Sequence, residues 1–190
     1  MLIGPLLGAE TDWAYAPVEN PELPKVDTAN WTREEMDFFV LAGIEKRDYL
    51  PTKPAAKRTL IRRAYLDLHG LPPSTGRIEA FLKDERPDAW ARLIDEFGKS
   101  PRYGERWGRH WLDQARYADS NGYTIDGDRI MWPYRDWVIQ AINRDLTFDQ
   151  FTIEQLAGDL LPEPTKAQLV ATGFHRNTLI NQEGGTDNEQ

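Results

Sequence analysis

A chain of 190 residues, 40% hydrophobic and 28% charged, is sized for one domain with a real core and composed like a globular protein, not a disordered or membrane-spanning one. Its net charge of −8 sets aside nucleic acid as the default partner, because phosphate ligands need a dominant basic surface. Cysteine is absent, which removes disulfides, thiol nucleophiles, Cys-ligated zinc and thioether-linked haem from this chain.

The opening MLIGPLLGAETDW has a short apolar run ending in Gly8 and Ala9. It resembles the back half of a secretory signal peptide lacking its basic start, and it equally fits a frayed terminus. No apolar run approaches the length of a membrane span. Residues 14–30 hold three prolines and no helical period, so they read as an extended arm. Thr32 with Glu35 forms a capping-box pattern before a helix expected to bury Met36, Phe39, Val40 and Ile44. Pro54 suits the first turn of a second helix, with Leu60, Ile61, Ala64, Tyr65 and Leu68 on one stripe and Gly70 as its stop. Ser74 caps a short helix through Ile78, Phe81 and Leu82. Another begins near Pro87 and Asp88 and carries Trp90, Leu93, Ile94 and Phe97. Ser100-Pro101 is a cap followed by proline at the first helical position.

That cap opens the most crowded stretch, RWGRHWLDQARYADSNGY, from Arg106 to Tyr123. Tyr103, Trp107, Trp111 and Ala115 recur at fours with Leu112 beside them, the spacing of a buried stripe. After Tyr117 comes a turn-rich loop containing Gly122 and Gly127. Pro133 restarts a helix with the stripe Tyr134, Trp137, Val138, Ala141 and Ile142. Thr147 with Gln150 reads as a second capping box, leading through Phe151, Leu156, Ala157 and Leu160. Pro162 and Pro164 end that helix, and Thr165 caps a last one through Leu169, Val170, Gly173 and Phe174. No strand alternation appears. The expected fold is all-α: an irregular bundle of about seven or eight short helices with long polar loops. The expected organisation is an arm with a signal-peptide remnant over 1–30, a helical domain over 31–177 and a polar C-terminal loop over 178–190.

Chemistry is sparse. His110 and Asp113, three residues apart on a helix, can orient each other, ligate a metal or act as a hydrolase base with its orienter; the competing reading is a histidine at the core boundary. Asp119, Asn121, Asp126 and Asp128 offer oxygen ligands for calcium, but the EF-hand spacing fails at its sixth and twelfth places, which are Thr124 and Ile130. Asp and Asn also dominate ordinary turns. A two-histidine metal site would need His110 and His175 brought together. Exposed aromatics can stack on sugars, so Trp13, Tyr15, Tyr123 and Trp132 are the residues for a polysaccharide-binding alternative. Phosphate-binding glycine loops, zinc pairs and nucleophile elbows are absent, and the chain holds no catalytic motif.

The segments RTLIRRAYLDLHGLPPS (Arg58 to Ser74), SPRYGERWGRHWLDQARYADSNGY (Ser100 to Tyr123), WPYRDWVIQAIN (Trp132 to Asn143), FTIEQLAGDLLP (Phe151 to Pro162) and ATGFHRNTLINQEGGTD (Ala171 to Asp187) resemble the second planctomycete surface cytochrome domain. The resemblance runs in order over nearly all of the chain. It implies a module of an exported bacterial protein, periplasmic or at the cell surface, associated with cytochrome c and related to redox or electron transfer. It also implies a Cys-x-x-Cys-His haem motif downstream of NQEGGTD. This chain ends at Gln190 without a cysteine, so it reads as a domain cut short: it carries no cofactor itself, and haem c is expected only with the missing region. The implied partners are the downstream domains of its own protein. The resemblance supplies no catalytic residue. The residues expected to make contacts are Arg116, Tyr117, Asp119 and Asn121 at the helix–loop junction, with Arg135 and Asp136 opening the next helix. His110, Asp113 and Glu183 complete the candidate polar site; the competing reading for each is a structural hydrogen bond.

Overall fold

A computed structural model of the chain describes residues 16–122 and 126–178. Among the described residues regular structure is helical, with eight α-helices, and β structure is limited to one isolated antiparallel bridge between Ser120 and Asp128. The all-α expectation therefore holds. The chain divides into two compact units, Met1–Pro54 and Ala55–Gln190. The signal-like opening lies outside the described residues, as does the polar tail from residue 179.

In the first unit a 3-10 turn, Ala29–Trp31, precedes α1 (Glu35–Glu45). The expected Thr32–Glu35 box does not form. The Thr32 hydroxyl instead donates to the Ala29 carbonyl at 2.7 Å, and the Asp37 carboxylate accepts the N–H groups of Arg33 at 2.8 Å and Glu34 at 3.2 Å. Thr32 closes the turn, so the helix starts at the next carboxylate able to reach back. Leu41 is fully buried while Met36, Phe39 and Val40, expected in the core, are exposed. At about 100° per residue, the consecutive Phe39, Val40 and Leu41 span too wide an arc for one buried face. The end of the arm is tied to α1 through Glu45, which accepts the N–H groups of Asp27 and Thr28, each at 3.0 Å. These bonds, that from Asp27 foremost, hold its carboxyl below the ordinary range.

The second unit opens with α2 (Lys57–Ala64), which widens into a π-helical turn over Tyr65–His69 and stops at left-handed Gly70, φ 73°. Pro54 lies ahead of this helix, not in its first turn. Ala56 at the N-cap has no capping oxygen, and the start is pinned by Lys57, whose ammonium donates to the Asp84 carbonyl. Ser74 caps α3 (Thr75–Lys83) by accepting the Arg77 N–H at 3.4 Å, and α4 (Ala89–Gly98) follows. Ile61, Ala64, Phe81, Leu93 and Phe97 close over a first core, each large side chain contributing about 1.5–3 kcal/mol by burial.

His69 sits half-buried in this core, edge-on to Phe97 at 4.4 Å and Tyr65 at 5.6 Å. Its Nε2 is sealed from solvent without a hydrogen-bond partner among the described residues. Burial first, then the charge of Arg102, pushes its pKa below the ordinary 6.5, opposed by the Phe97 backbone and then by the charge of Glu96. The folded state therefore binds the proton less readily than the unfolded chain. Stability is fully present above pH 6.5 and falls as pH drops through that value toward the lower folded pKa. Denaturant midpoints across the mildly acidic range should show this slope in the native protein and a flatter one in His69→Gln.

The remaining helices are α5 (Pro101–Gln114), α6 (Trp132–Asn143), α7 (Phe148–Ala157) and α8 (Lys166–Ala171); the last two run on into 3-10 turns, Gly158–Leu160 and Thr172–Asn177. Ser100 caps α5 as expected, accepting the Arg102 N–H at 3.3 Å. Thr165 caps α8 in a complete box, Gln168 N–H to Thr165 Oγ1 at 3.3 Å and Thr165 N–H to Gln168 Oε1 at 2.9 Å. Thr147 does occupy the N-cap of α7 but makes no side-chain cap bond; its side chain, acting on the Asp149 carboxyl, helps hold that group below the ordinary range.

Two expected stripes are corrected. On α5 the buried residues are Gly104, Gly108, Leu112 and Ala115, while Trp107 is 41% exposed. The two glycines let α6 approach so closely that no aromatic ring fits between them. On α7 the buried residues are Phe151 and Gln155, with Leu156 54% and Leu160 79% exposed. The α6 stripe is as expected: Tyr134, Trp137, Val138 and Ala141 are buried and pack with Leu112, Met131 and Phe151 in a second core.

Candidate functional site

The end of α5 decides where the polar candidates lie. Tyr117 N–H bonds back to the Leu112 carbonyl at 2.9 Å and Arg116 N–H to that of Asp113 at 3.2 Å, the paired bonds of a left-handed helix stop. Arg116 takes the left-handed position at φ 56°, where glycine is the usual residue. Arg116→Gly should therefore raise stability by about 1 kcal/mol, read as a higher thermal midpoint. A lower midpoint would show that the arginine side chain makes a compensating contact.

This stop turns the chain so that Tyr117 meets α6. The Tyr117 hydroxyl donates to Asp119 Oδ2 at 2.7 Å. Arg135, in the first turn of α6, donates to Asp136 Oδ1 through Nε at 2.9 Å and Nη2 at 2.8 Å. Arg135 also lies close enough to Tyr117 and Asp119 to act on both electrostatically. Burial, then the bond to Asp119, pushes the Tyr117 phenol up to about 12, so it stays a proton donor across the neutral range. Four sequence candidates, Tyr117, Asp119, Arg135 and Asp136, thus form one cluster of alternating charge.

The loop beyond it folds on itself. Asn121 is buried, its N–H donating to the Gly127 carbonyl at 3.1 Å, and Arg129 N–H returns to the Asp119 carbonyl at 2.7 Å. Asp126 accepts the Gly122 N–H at 2.7 Å, which with Ser120 lowers its pKa. These carboxylates order a turn, and among the described residues no group of three or more acidic or histidine side chains is placed to hold a metal ion.

His110 and Asp113 stay apart from this cluster, exposed on α5 with no hydrogen bond between them. Arg106 Nη1 donates to His110 Nε2 at 3.3 Å. His175 Nε2 donates to the Leu156 carbonyl at 3.1 Å. Glu183 lies outside the described residues, as do Trp13, Tyr15 and Tyr123; Trp132 is 52% exposed.

Three polar residues escaped the sequence reading. Arg129 reaches across from the loop to the carbonyls of Thr178, at 3.0 Å, and Arg176, anchoring the last described turn. Asn177 is 2% exposed, and neither amide atom has a partner among the described residues. Gln155 joins a buried network with Tyr134 and Trp111. No sequence signal marks Arg129 or Asn177 beyond an arginine in a polar loop and an amide after a short apolar run.

Fold and site together define an all-helical module whose polar cluster lies at the junction of two packed helices. A family model described as PSCyt2, a protein of unknown function (DUF1549), matches residues 35–190. The chain belongs to that family. No curated protein and no solved structure matches it.

Proposed function

We propose that this chain is a non-catalytic helical module of an exported, cytochrome c-associated bacterial protein, and that it serves as a docking platform for the downstream part of the same protein. Family membership over residues 35–190 and the segment-by-segment resemblance support the setting. The observation that carries the platform role is the cluster of Tyr117, Asp119, Arg135 and Asp136, prearranged by the α5 stop yet still partly open to solvent. Partly exposed, mutually oriented charges give an interface register and specificity more than raw affinity.

The test is to sequence the parent gene beyond the Gln190 codon, then express the full protein with a c-type haem maturation system and an export route. The expected result is a Cys-x-x-Cys-His motif, a c-type haem absorbance spectrum and recovery from the exported fraction. A cysteine carrying a photocrosslinker at Asp119 should then capture the downstream region, and Arg135→Glu should abolish that capture. An extended frame without a haem motif would overturn the cytochrome setting; haem-loaded protein without the crosslink would overturn the platform.

A further inference from the structure

A group of positive side chains on this acidic chain, separate from the residues of the polar cluster, lines a cleft of about 680 Å³ between α3 and α4. Its cations are Arg77, Lys83, Arg86, Arg92 and Lys99, two more than its three carboxylates. Phe81, Ala89 and Leu93 give it an apolar floor. The volume falls in the range of small-molecule sites, typically about 300–1,000 Å³, while eight of the twelve lining residues are charged, a composition suited to an ionic ligand.

Two of the carboxylates are already spent on holding arginines in place. Glu96 accepts two bonds from Arg77, both at 2.7 Å, and the Tyr65 hydroxyl accepts a third at 3.1 Å. Asp84 pairs with Arg86 at 2.8 and 2.5 Å. Arg92 sits 3.9 Å from Asp88, beyond hydrogen-bond reach. Lys83 and Lys99 form no ion pair among the described residues, so the unpaired cations outnumber the one remaining carboxylate, Asp95.

The free cations stand apart. Arg77 faces Glu96 and Phe81 faces Trp90, so α3 and α4 run antiparallel. Lys83 therefore marks one end of the cleft and Lys99 the other, with Arg92 and Lys99 about 10 Å apart along α4 at its rise per residue. From this geometry we infer that the α3–α4 cleft binds an organic dianion: a flat apolar body, roughly two aromatic rings long, carrying a carboxylate or similar oxyanion at each end. The body covers the floor over Phe81 and Leu93. One anionic group meets Arg92 and the other meets Lys99, with Lys83 beyond Arg92 at the far end of the cleft.

Biphenyl-4,4′-dicarboxylate is the probe, titrated calorimetrically at low salt against biphenyl-4-carboxylate and the uncharged 4,4′-dicarboxamide. The dicarboxylate should bind about tenfold more tightly than the monocarboxylate, and the dicarboxamide not measurably, with affinity falling as salt rises. Arg92→Gln with Lys99→Gln should weaken dicarboxylate binding at least tenfold, and Ala80→Glu, which adds a carboxylate to the exposed rim, should abolish it. All three positions are exposed, so an unchanged circular dichroism spectrum and thermal midpoint will show that the variants fold. Absent binding, equal binding of diacid and diamide, or binding indifferent to these substitutions would each overturn the inference. The family setting and the platform proposal stand or fall separately, since neither involves this cleft.

Discussion

Gly104→Ala is expected to lower stability by about 2 kcal/mol, although alanine is the better helix former by about 1 kcal/mol. A Cβ at this position would lie 2.4 Å from the Ile139 carbonyl oxygen and 2.6 Å from the Asn143 side chain. Asn143 cannot simply move aside. Its Oδ1 accepts the Gly104 N–H at 2.8 Å and its Nδ2 donates to the Pro101 carbonyl at 3.0 Å, so it fastens the first turn of α5 to the end of α6. The inserted methyl must separate the helices or break both bonds. The thermal midpoint should fall by about 4–8 °C. Gly98→Ala is the control: nothing lies within 4 Å of its Cβ position, and the change should be neutral or mildly stabilising. Equal midpoints for the two variants would refute the close α5–α6 crossing.

Gln155→Leu should cost about 3 kcal/mol, despite nearly conserving volume in a residue only 2% exposed. Gln155 Oε1 accepts from the Tyr134 hydroxyl at 2.6 Å and from Trp111 Nε1 at 2.8 Å, while its Nε2 donates to the Phe151 carbonyl at 2.9 Å. Leucine would leave the Tyr134 hydroxyl without its acceptor, Trp111 Nε1 with only its longer 3.2 Å bond to that hydroxyl, and the Phe151 carbonyl without the Gln155 amide, an orphaned buried donor alone costing about 1–3 kcal/mol. Burial pushes the Tyr134 phenol up to about 12, so it remains a donor over the neutral range. Tyr134→Phe removes the hydroxyl's bond to Gln155 and the longer 3.2 Å bond it accepts from Trp111 Nε1 but leaves the Trp111–Gln155 pair intact, so it should cost about 1 kcal/mol. A double-mutant cycle by urea denaturation will read the coupling directly. A Gln155→Leu protein no less stable than Tyr134→Phe would show that the network adds nothing beyond packing.

Both effects come from contacts between helices, where the sequence reading went astray. Ser100, Thr165 and Gly70 were legible because a cap or a stop is a local event, settled by a side-chain oxygen or a permitted left-handed φ within a few residues. The α6 stripe was legible because Tyr134, Trp137, Val138 and Ala141 leave only one apolar face. On α5, hydropathy favoured Trp107 over Gly104, yet the shape of α6 requires the glycine. On α7 it favoured Leu156 over Gln155, yet Trp111 and Tyr134 require an acceptor. Of the candidate residues, Tyr117, Asp119, Arg135 and Asp136 lie together because the loop between α5 and α6 folds back, Arg129 N–H bonding to the Asp119 carbonyl and Ser120 bridging Asp128. Arg129 and Asn177 were missed because their surroundings come from distant segments.

By itself, then, the sequence determined the helical class, most helix starts and stops, and the family to which residues 35–190 belong. These follow from short-range hydrogen bonding and residue order. Only the tertiary structure decided which faces are buried, that His110 pairs with Arg106 and not with Asp113, and that the cations around α3 and α4 line one cleft. Burial and charge pairing depend on what a second helix presents at a given height, and no spacing along one helix encodes that.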